Sequence, residues 1–272
     1  MRAELAAAAA RLNGASDTPR LDAELLMAHA LGIAREGLLL GPDRPAPDAF
    51  EALVARRLAG EPIAYITGTR GFWTIELAVT PAVLIPRPDS ETLIDAAVEH
   101  FGGVGPATIL DLGTGSGALL LAALDQWRGA TGLGVDASAA ALAVARGNAE
   151  RLGMADRACF AIGDWAGGIA NRFDLLLCNP PYVETGAILP RDVAEHEPAA
   201  ALFAGADGLA DYRRLAPQLG RLIAPGGLAA IEIGSGQAAA VAALFGAEGL
   251  ACTVRRDLSS LDRCILVRGR GD

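Results

Sequence analysis

From about residue 108 to the end of the chain, short apolar segments typical of strands alternate with segments typical of helices. The predicted strands are 108–112, 132–135, 158–162, 173–178, 228–233, 251–255 and 264–267, and the predicted helices are 118–127, 139–152, 209–223 and 238–245. Such alternation is typical of a parallel sheet covered by helices on both faces. No helix separates the last two strands, so the final strand is expected to run antiparallel. The pattern predicts a doubly wound α/β sheet.

The first 67 residues lack this alternation and are typical of a small helical bundle. Thr18 followed by Pro19 is a helix start signal, with a capping residue before a proline at the first helical position. We expect Leu21, Leu25 and Ala28 to share the buried face of the helix that follows.

Residues 68–86 change to β-type sequence. The runs Phe72-Trp73-Thr74 and Leu77-Ala78-Val79 predict a hairpin that links two domains, followed by a helix at about 90–100 with Asp89 or Ser90 as its cap. The predicted organisation is therefore a helical domain at 1–67, a hairpin linker at 68–86 and an α/β domain at 87–272.

Composition excludes several classes of protein. Hydrophobic residues make up 52% of the 272 residues, yet no stretch approaches 18 consecutive apolar residues, so we expect a cytoplasmic protein without a membrane segment. All 23 basic residues are arginine, which excludes chemistry that needs a lysine. A formal net charge of −9 argues against a broad nucleic-acid interface.

Metal and covalent catalysis are not expected. The four cysteines show no C-x-x-C spacing, and the three histidines lie far apart in the sequence. No G-x-S-x-G element is present either.

Polar or glycine-rich segments follow three of the predicted strands, where doubly wound sheets bind their ligands. Gly113 to Gly117 has the spacing G-x-G-x-G, which suits a carboxylate or ribose more than a pyrophosphate; a plain tight turn is the alternative. Asp136 ends the next strand and is placed to accept hydrogen bonds from ribose hydroxyls, or else to cap the helix near Ser138. Asp164-Trp165 follows the third strand. Together these features predict a pocket for an adenosine without phosphates.

Asn179-Pro180-Pro181-Tyr182 follows the predicted strand 173–178. A planar amide or aromatic amine is a poor nucleophile, because its nitrogen lone pair is delocalised. The Asn179 side-chain oxygen and the Pro180 carbonyl could accept both of its N–H bonds, while the two prolines hold these acceptors rigid. Tyr182 offers a flat face to a planar target. A rigid proline turn without function is the alternative.

These motifs resemble the class I S-adenosylmethionine-dependent methyltransferases, and within them the HemK/PrmC family of glutamine-N5 methyltransferases that act on peptide chain release factors. Further segments that resemble this family are Gly60-Glu61-Pro62-Ile63-Ala64-Tyr65 with Gly68, Phe72-Trp73, Ile85-Pro86-Arg87-Pro88-Asp89 with Glu91, Glu197-Pro198 with Ala201-Leu202, Asp207-Gly208-Leu209, Tyr212-Arg213, and Asp257-Leu258 with Asp262-Arg263. The resemblance covers the chain from about residue 60 to its end.

The resemblance implies a seven-stranded class I methyltransferase sheet and methyl transfer from S-adenosylmethionine, which leaves S-adenosylhomocysteine. The acceptor would be the amide nitrogen of the glutamine in the Gly-Gly-Gln loop of a release factor. The residues implied for the cofactor are Gly113, Thr114, Gly115, Ser116 and Gly117 for its methionine part, Asp136 for its ribose, Asp164 and Trp165 for its adenine, and Asn179 beside it. Those implied for the glutamine are Asn179, Pro180, Pro181 and Tyr182, of which Asn179, Pro180 and Tyr182 would be catalytic, with Arg87 shaping the cleft. The N-terminal bundle would recognise the release factor, and we expect a monomer with no metal.

Other functions remain open at this point. Relatives with the same Asn-Pro-Pro-Tyr signature methylate a glutamine of another protein, such as a ribosomal protein. Adenine N6 in a nucleic acid poses the same chemical problem, although the negative charge counts against it. A cofactor-binding module without activity is the third alternative. No general base is evident.

Overall fold

The computed structural model describes residues 1–42 and 44–269. The chain forms two compact units, one of Met1–Thr69 with Leu189–Glu197 and one of Arg70–Ile188 with Pro198–Asp272. The segment Leu189–Glu197 therefore groups with the N-terminal helices, although it lies within the stretch 87–272 that the sequence pattern predicts as one domain.

The first unit contains the helices α1 (Arg2–Leu12), α2 (Pro19–Leu31), α3 (Arg35–Leu40), α4 (Ala49–Leu58) and α5 (Ile63–Thr67). Its core includes Leu12, Leu26 and Met27, all fully buried. Helix α2 begins at Pro19, directly after Thr18, which confirms the predicted start. The N-terminal region is helical, as predicted.

The predicted buried face of α2 is confirmed for Ala28 but wrong for Leu21, which is exposed. The acidic residues Asp22 and Glu24 are buried instead. Arg57 Nε lies 2.8 Å from Asp22 Oδ2, and Arg20 Nε lies 2.6 Å from Glu24 Oε1. An acidic side chain can be buried where a guanidinium compensates its charge, and an apolar pattern carries no sign of this.

The second unit contains a hairpin and a seven-stranded sheet with its helices. In chain order the remaining elements of the whole chain are β1 (Thr69–Phe72), β2 (Ile75–Ala78), α6 (Glu91–Phe101), β3 (Thr108–Leu112), α7 (Ala118–Gln126), β4 (Thr131–Asp136), α8 (Ala139–Arg151), β5 (Ala158–Ile162), β6 (Phe173–Cys178), α9 (Arg191–His196, which belongs to the first unit), α10 (Ala210–Leu222), β7 (Ile223–Glu232), α11 (Ala238–Ala247), β8 (Cys252–Arg256) and β9 (Asp262–Arg268).

The strand order of the sheet is β5-β4-β3-β6-β7-β9-β8. Strands β3 to β7 pair in parallel, while β9 runs antiparallel to both of its neighbours. The doubly wound fold and the antiparallel final strand are thus confirmed. The order reverses between β3 and β6, and such a switch point opens a crevice at the carboxyl ends of the strands.

Both faces of the central strands of the sheet are buried. Along β6, Leu175 and Leu177 pack into one hydrophobic cluster, while Leu176 and Cys178 pack into the other. Successive side chains of a strand point to opposite faces, so a continuous apolar run indicates a strand with helices on both sides.

The predicted hairpin runs are partly misplaced. Trp73 and Thr74 form the turn between β1 and β2, and Trp73 has a φ of 54°. The Trp73 backbone N–H donates to Glu91 Oε1 at 2.9 Å, and the Thr74 hydroxyl donates to Asp125 Oδ2 at 2.6 Å. These contacts hold a turn where an aromatic and a β-branched residue favour a strand.

No helix in the part of the chain that the structure describes is long and apolar enough to span a membrane.

Candidate functional site

A pocket of about 480 Å³ lies at the carboxyl ends of β3 to β6, within the second unit. The predicted site residues that line it are Gly113, Thr114, Gly115, Ser116, Asp136, Asp164, Trp165, Asn179 and Pro181. Gly117, Pro180, Tyr182 and Arg87 are not among the described residues of its lining. The fold therefore brings segments from four strand ends to one cavity, as expected at a topological switch point.

The loop after β3 presents backbone rather than side chains to the pocket. Gly113, Gly115 and Gly117 have φ values of 73°, 54° and 83°, in the left-handed region that glycine adopts without strain. A Cβ atom added at Gly113 would lie 3.4 Å from the Trp165 ring and 3.9 Å from the Asn179 carbonyl oxygen. These distances are ordinary van der Waals contacts, so the requirement for glycine at position 113 comes from its φ of 73°.

Asp136, at the end of β4, fixes the same loop. Its Oδ2 accepts a hydrogen bond from Gly115 N at 2.9 Å, and its Oδ1 accepts one from Ser138 N at 2.8 Å. The cap of α8 is Ser138, whose Oγ accepts from Ala141 N at 3.1 Å. Each carboxylate oxygen retains accepting capacity, so Asp136 has the chemistry to hold two neighbouring hydroxyls.

Asp111, the last-but-one residue of β3, lies buried behind the glycine loop. Thr114 Oγ1 donates to its Oδ2 at 2.6 Å, while its Oδ1 has no hydrogen-bond partner among the described residues. Burial raises the pKa of Asp111 to about 7, and the negative charge of Asp136 adds to the rise. Asp111 is not among the predicted site residues, although an acid in an otherwise apolar strand is a signal that could have revealed it.

An ion pair borders the pocket beyond β5. Asp164 pairs with Arg214 of α10, and Arg214 Nη1 also lies 3.2 Å from Asp211 Oδ1. Trp165 Nε1 donates to the same oxygen of Asp211 at 3.2 Å, which orients the indole. Asp164 is 72% exposed, so its ion pair with Arg214 lies at the solvent-exposed surface.

The segment after β6 is held by side-chain hydrogen bonds at both of its ends. Asn179 Nδ2 donates to Ser90 Oγ at 3.1 Å, and the Tyr182 hydroxyl donates to Glu232 Oε1 at 3.3 Å. Gln237 Nε2 donates to the Tyr182 carbonyl oxygen at 3.0 Å, and Pro180 between the two ends is buried. The geometry of the turn is thereby fixed from several directions.

Ser90 and Glu232 are two further residues to which the sequence analysis assigned no part in the site. Ser90 occupies the predicted cap position before α6 but makes no side-chain cap hydrogen bond, and its hydroxyl contacts Asn179 instead. Glu232 ends β7 and is buried, and burial raises its pKa to about 7. In the sequence, Glu232 stands out as a lone acid at the carboxyl end of an apolar strand, and this could have indicated a role in the site.

Comparisons with known proteins agree with this arrangement. The model of the PrmC N-terminal domain matches residues 4–68, and that of the methyltransferase small domain matches residues 90–197. A release factor glutamine methyltransferase of Rhodospirillum rubrum is 47% identical over 261 residues, covering 93% of this chain and 80% of the relative. One from Caulobacter vibrioides is 45% identical over 259 residues, covering 92% of this chain and 89% of the relative. The chain belongs to the release factor glutamine methyltransferase family.

Solved structures of low sequence identity support the fold of this family member. A methyltransferase from Pyrococcus furiosus is 16% identical and superposes with a TM-score of 0.54, covering 79% of this chain and 97% of the other. The sheet order and the neighbours together confirm the class I methyltransferase fold that the sequence predicts.

Arg87 lies outside the described pocket lining of this family member, but its charge acts on Tyr182. Burial raises the pKa of Tyr182 well above its ordinary value, whereas the positive charges of Arg263 and Arg87 oppose the rise. Within residues 1–42 and 44–269, no group of three or more His, Cys, Asp or Glu side chains is placed to hold a metal ion.

Proposed function

We propose that the protein transfers a methyl group from S-adenosylmethionine to the side-chain amide nitrogen of the glutamine in the Gly-Gly-Gln loop of a peptide chain release factor. The observation that carries this proposal is the meeting of Gly113 and Asn179 at one pocket. A Cβ atom at Gly113 would be 3.9 Å from the Asn179 carbonyl oxygen, so a methyl donor against the glycine loop would lie beside the acceptor motif. The names of the relatives supply the acceptor.

The pocket suits S-adenosylmethionine in size and in chemistry. Its volume of about 480 Å³ falls within the range of small-molecule sites. The bare backbone of Gly113 to Gly117 would border the methionine part, Asp136 would accept hydrogen bonds from both ribose hydroxyls, and Trp165 would pack against the adenine. When bound, this molecule supplies an electrophilic methyl group on a sulfonium ion.

Asn179 and Pro180 would prepare the acceptor nitrogen. The Asn179 Oδ1 atom and the Pro180 carbonyl would accept the two N–H bonds of the glutamine amide, and this would favour a more tetrahedral nitrogen as it attacks. Neither proline donates an N–H that would compete for these acceptors. Tyr182 would place its ring against the amide plane, and the excess proton of the methylated amide would pass to water.

Two other acceptors are not favoured. The relatives described above are named for release factors, rather than for ribosomal proteins or nucleic acids. The net charge of −9 further disfavours a nucleic-acid substrate. A binding module without activity would need Asn179 to have no role in turnover.

We further propose that the helices of residues 1–67, in a unit that also includes Leu189–Glu197, recognise the release factor. The enzyme would be cytoplasmic, since its substrate is a protein of translation, and we propose that it acts as a monomer without a metal. Deletion of residues 1–67 should raise KM for the whole release factor far more than KM for a short Gly-Gly-Gln peptide.

Incubation with methyl-labelled S-adenosylmethionine tests the reaction. The acceptors are a release factor, its loop Gln→Ala variant, a ribosomal protein fraction and duplex DNA. Label on the intact release factor alone would support the proposal. Label on DNA, on ribosomal protein or on the Gln→Ala variant would replace the substrate assignment while leaving the methyltransferase family in place.

A further inference from the structure

The two ends of the acceptor motif converge on one buried acid. Asn179 Nδ2 donates to Ser90 Oγ at 3.1 Å, and the Tyr182 hydroxyl donates to Glu232 Oε1 at 3.3 Å. Ser90 is 4% exposed and Glu232 is 1% exposed, so neither side chain can exchange these partners freely for water. The Ser90 hydroxyl also acts on the Glu232 carboxyl and opposes the rise of its pKa. This interaction links two hydrogen-bonded pairs, Asn179–Ser90 and Tyr182–Glu232, into a polar chain, and Asn179 and Ser90 line the pocket.

The Glu232 carboxyl has capacity to accept a hydrogen bond from the Ser90 hydroxyl. Its Oε1 receives the Tyr182 hydroxyl, while its Oε2 is buried without a hydrogen-bond partner among the described residues. A serine hydroxyl has a single proton and two lone pairs. If Ser90 donates its hydroxyl hydrogen to Glu232, the Ser90 Oγ atom can only accept a hydrogen bond from Asn179.

We propose that Glu232 is a positioning residue that acts through Ser90 to set the orientation of the Asn179 side-chain amide. This inference rests on the proposed function, because the glutamine is the group that Asn179 would receive. With the Ser90 proton directed to Glu232, Asn179 must turn its NH2 group toward Ser90. Its Oδ1 atom is then left for the N–H of the acceptor amide.

The opposite orientation would abolish the acceptor geometry. A protonated or amidated residue 232 can donate to Ser90 Oγ, which then directs its own proton to Asn179. Asn179 would accept that proton with Oδ1 and present NH2 to the glutamine, where two donors would face each other. The charge on Glu232 therefore selects between a productive and an unproductive motif.

The surroundings of Glu232 make this charge sensitive to pH. Burial raises the pKa of Glu232 to about 7, and Asp89 adds to the rise, while Ser90, Arg263 and Tyr182 oppose it. The titratable and charged groups that act on Glu232, or on which it acts, are Tyr182, Arg263, Asp89, Tyr212, Cys178 and Cys264. The two tyrosines and two cysteines have raised pKa values and stay neutral below pH 8.

The test is the methyl-transfer kinetics of Glu232→Gln and Ser90→Ala with a release factor at saturating S-adenosylmethionine. We expect kcat to fall by about tenfold in each, the rate equivalent of one hydrogen bond, with KM for the release factor and Kd for the cofactor unchanged. The double variant should be no slower than either single variant, because both break the same chain.

Tyr212→Phe is the matched control. The Tyr212 hydroxyl is buried and donates to the backbone oxygen of the same residue, Glu232 O, at 2.9 Å. Its removal therefore perturbs the end of β7 without touching the carboxyl. We expect Tyr212→Phe to lower the unfolding temperature while kcat remains within about twofold of that of the unaltered enzyme, because the Tyr212 hydroxyl bonds the backbone of Glu232 and not its carboxyl.

The pH profile separates positioning from a merely structural role. In the unaltered enzyme kcat should rise as pH passes through about 7, since the ionised form of Glu232 is the productive one. Glu232→Gln should lose this rise, whereas Tyr212→Phe should keep it. Unchanged kcat in Glu232→Gln, a rise at pH 7 that persists in it, or a loss confined to KM would overturn the inference. Absence of methylation by the unaltered enzyme would instead overturn the proposed function.

Discussion

The pocket has two walls that are built in different ways. The glycine wall (Gly113–Gly117 with Asp136) is backbone, held by positive φ values and by a carboxylate that accepts backbone N–H groups. The acceptor wall (Asn179–Tyr182 with Ser90) is held by side-chain hydrogen bonds that end on a buried acid. We therefore expect changes in the glycine wall to alter cofactor affinity and changes in the acceptor wall to alter the rate of the chemical step.

Replacement of Asn179 should have the largest effect. Asn179→Ala removes a preorganised acceptor from the reacting nitrogen, and we expect kcat to fall on the order of 10²–10³-fold. Calorimetry should show cofactor affinity mostly intact. Asn171→Ala, the same change at an exposed position, is the control and should leave both quantities unaltered. A defect in Asn179→Ala that lay wholly in cofactor binding would abolish the distinction between the walls.

Replacement of Asp136 should give the reverse pattern. Asp136→Ala loses the carboxylate that would hold two ribose hydroxyls, at about 1.5–3 kcal/mol for each hydrogen bond, so the cofactor Kd should rise by at least about tenfold. Asp174 accepts from Ala107 N and Thr108 N at the start of β6, the opposite end of the sheet. Asp174→Ala should therefore lower stability without changing Kd. An unchanged Kd in Asp136→Ala would remove this residue from the site.

The central strands of the sheet could be predicted from the sequence because burial on both faces produces continuous apolar runs. The predicted bounds of β3, β5 and β6 coincide with the observed ones. Elements whose register depends on partners distant in sequence were less predictable. Trp73 lies in a turn that is held by Glu91, and the buried face of α2 includes Asp22 because Arg57 compensates its charge.

The site could be predicted only where a motif is contiguous in sequence. The glycine loop and Asn179–Tyr182 are such motifs. Ser90 and Glu232 belong to the acceptor wall through contacts across 89 and 50 residues of sequence, respectively. At position 90 the sequence favours a helix cap, and only the fold reveals that the hydroxyl contacts Asn179 instead.

A buried acid lies beside each wall, Asp111 at the glycine wall and Glu232 at the acceptor wall, and its ionisation destabilises the folded state. Burial raises the pKa values of Asp111 and Glu232 to about 7 in the folded protein, from the model-peptide values of 3.8 and 4.5. The folded state therefore binds more protons than the unfolded state between about pH 4 and pH 7. For each acid, the free energy of unfolding should fall by up to about 1.4 kcal/mol per pH unit as pH rises through this window.

Denaturant unfolding between pH 2 and pH 8 tests the direction of this pH dependence. Asp111→Asn and Glu232→Gln should each reduce the loss of stability with rising pH. Asp207, whose pKa the Arg213 guanidinium lowers to about 2, is the control of opposite sign. Asp207→Asn should change the pH dependence only below about pH 4, the ordinary range of an aspartate. A variant of either buried acid that paralleled the unaltered protein across the whole range would contradict the burial argument.

Asp164 marks the outer limit of the glycine wall and should show the smallest effect. It is 72% exposed and paired with Arg214, which is 49% exposed, and such surface pairs contribute about 0–1 kcal/mol. Asp164→Ala should therefore raise the cofactor Kd by at most about fivefold, and less at high salt. The matched control is Asp207→Ala, which breaks a comparable exposed pair with Arg213 outside the described pocket lining and should leave Kd unchanged. An effect of Asp164→Ala as large as that of Asp136→Ala would contradict this expectation. It would mean that the Asp164 carboxylate leaves Arg214 and binds the adenine amino group when the cofactor binds.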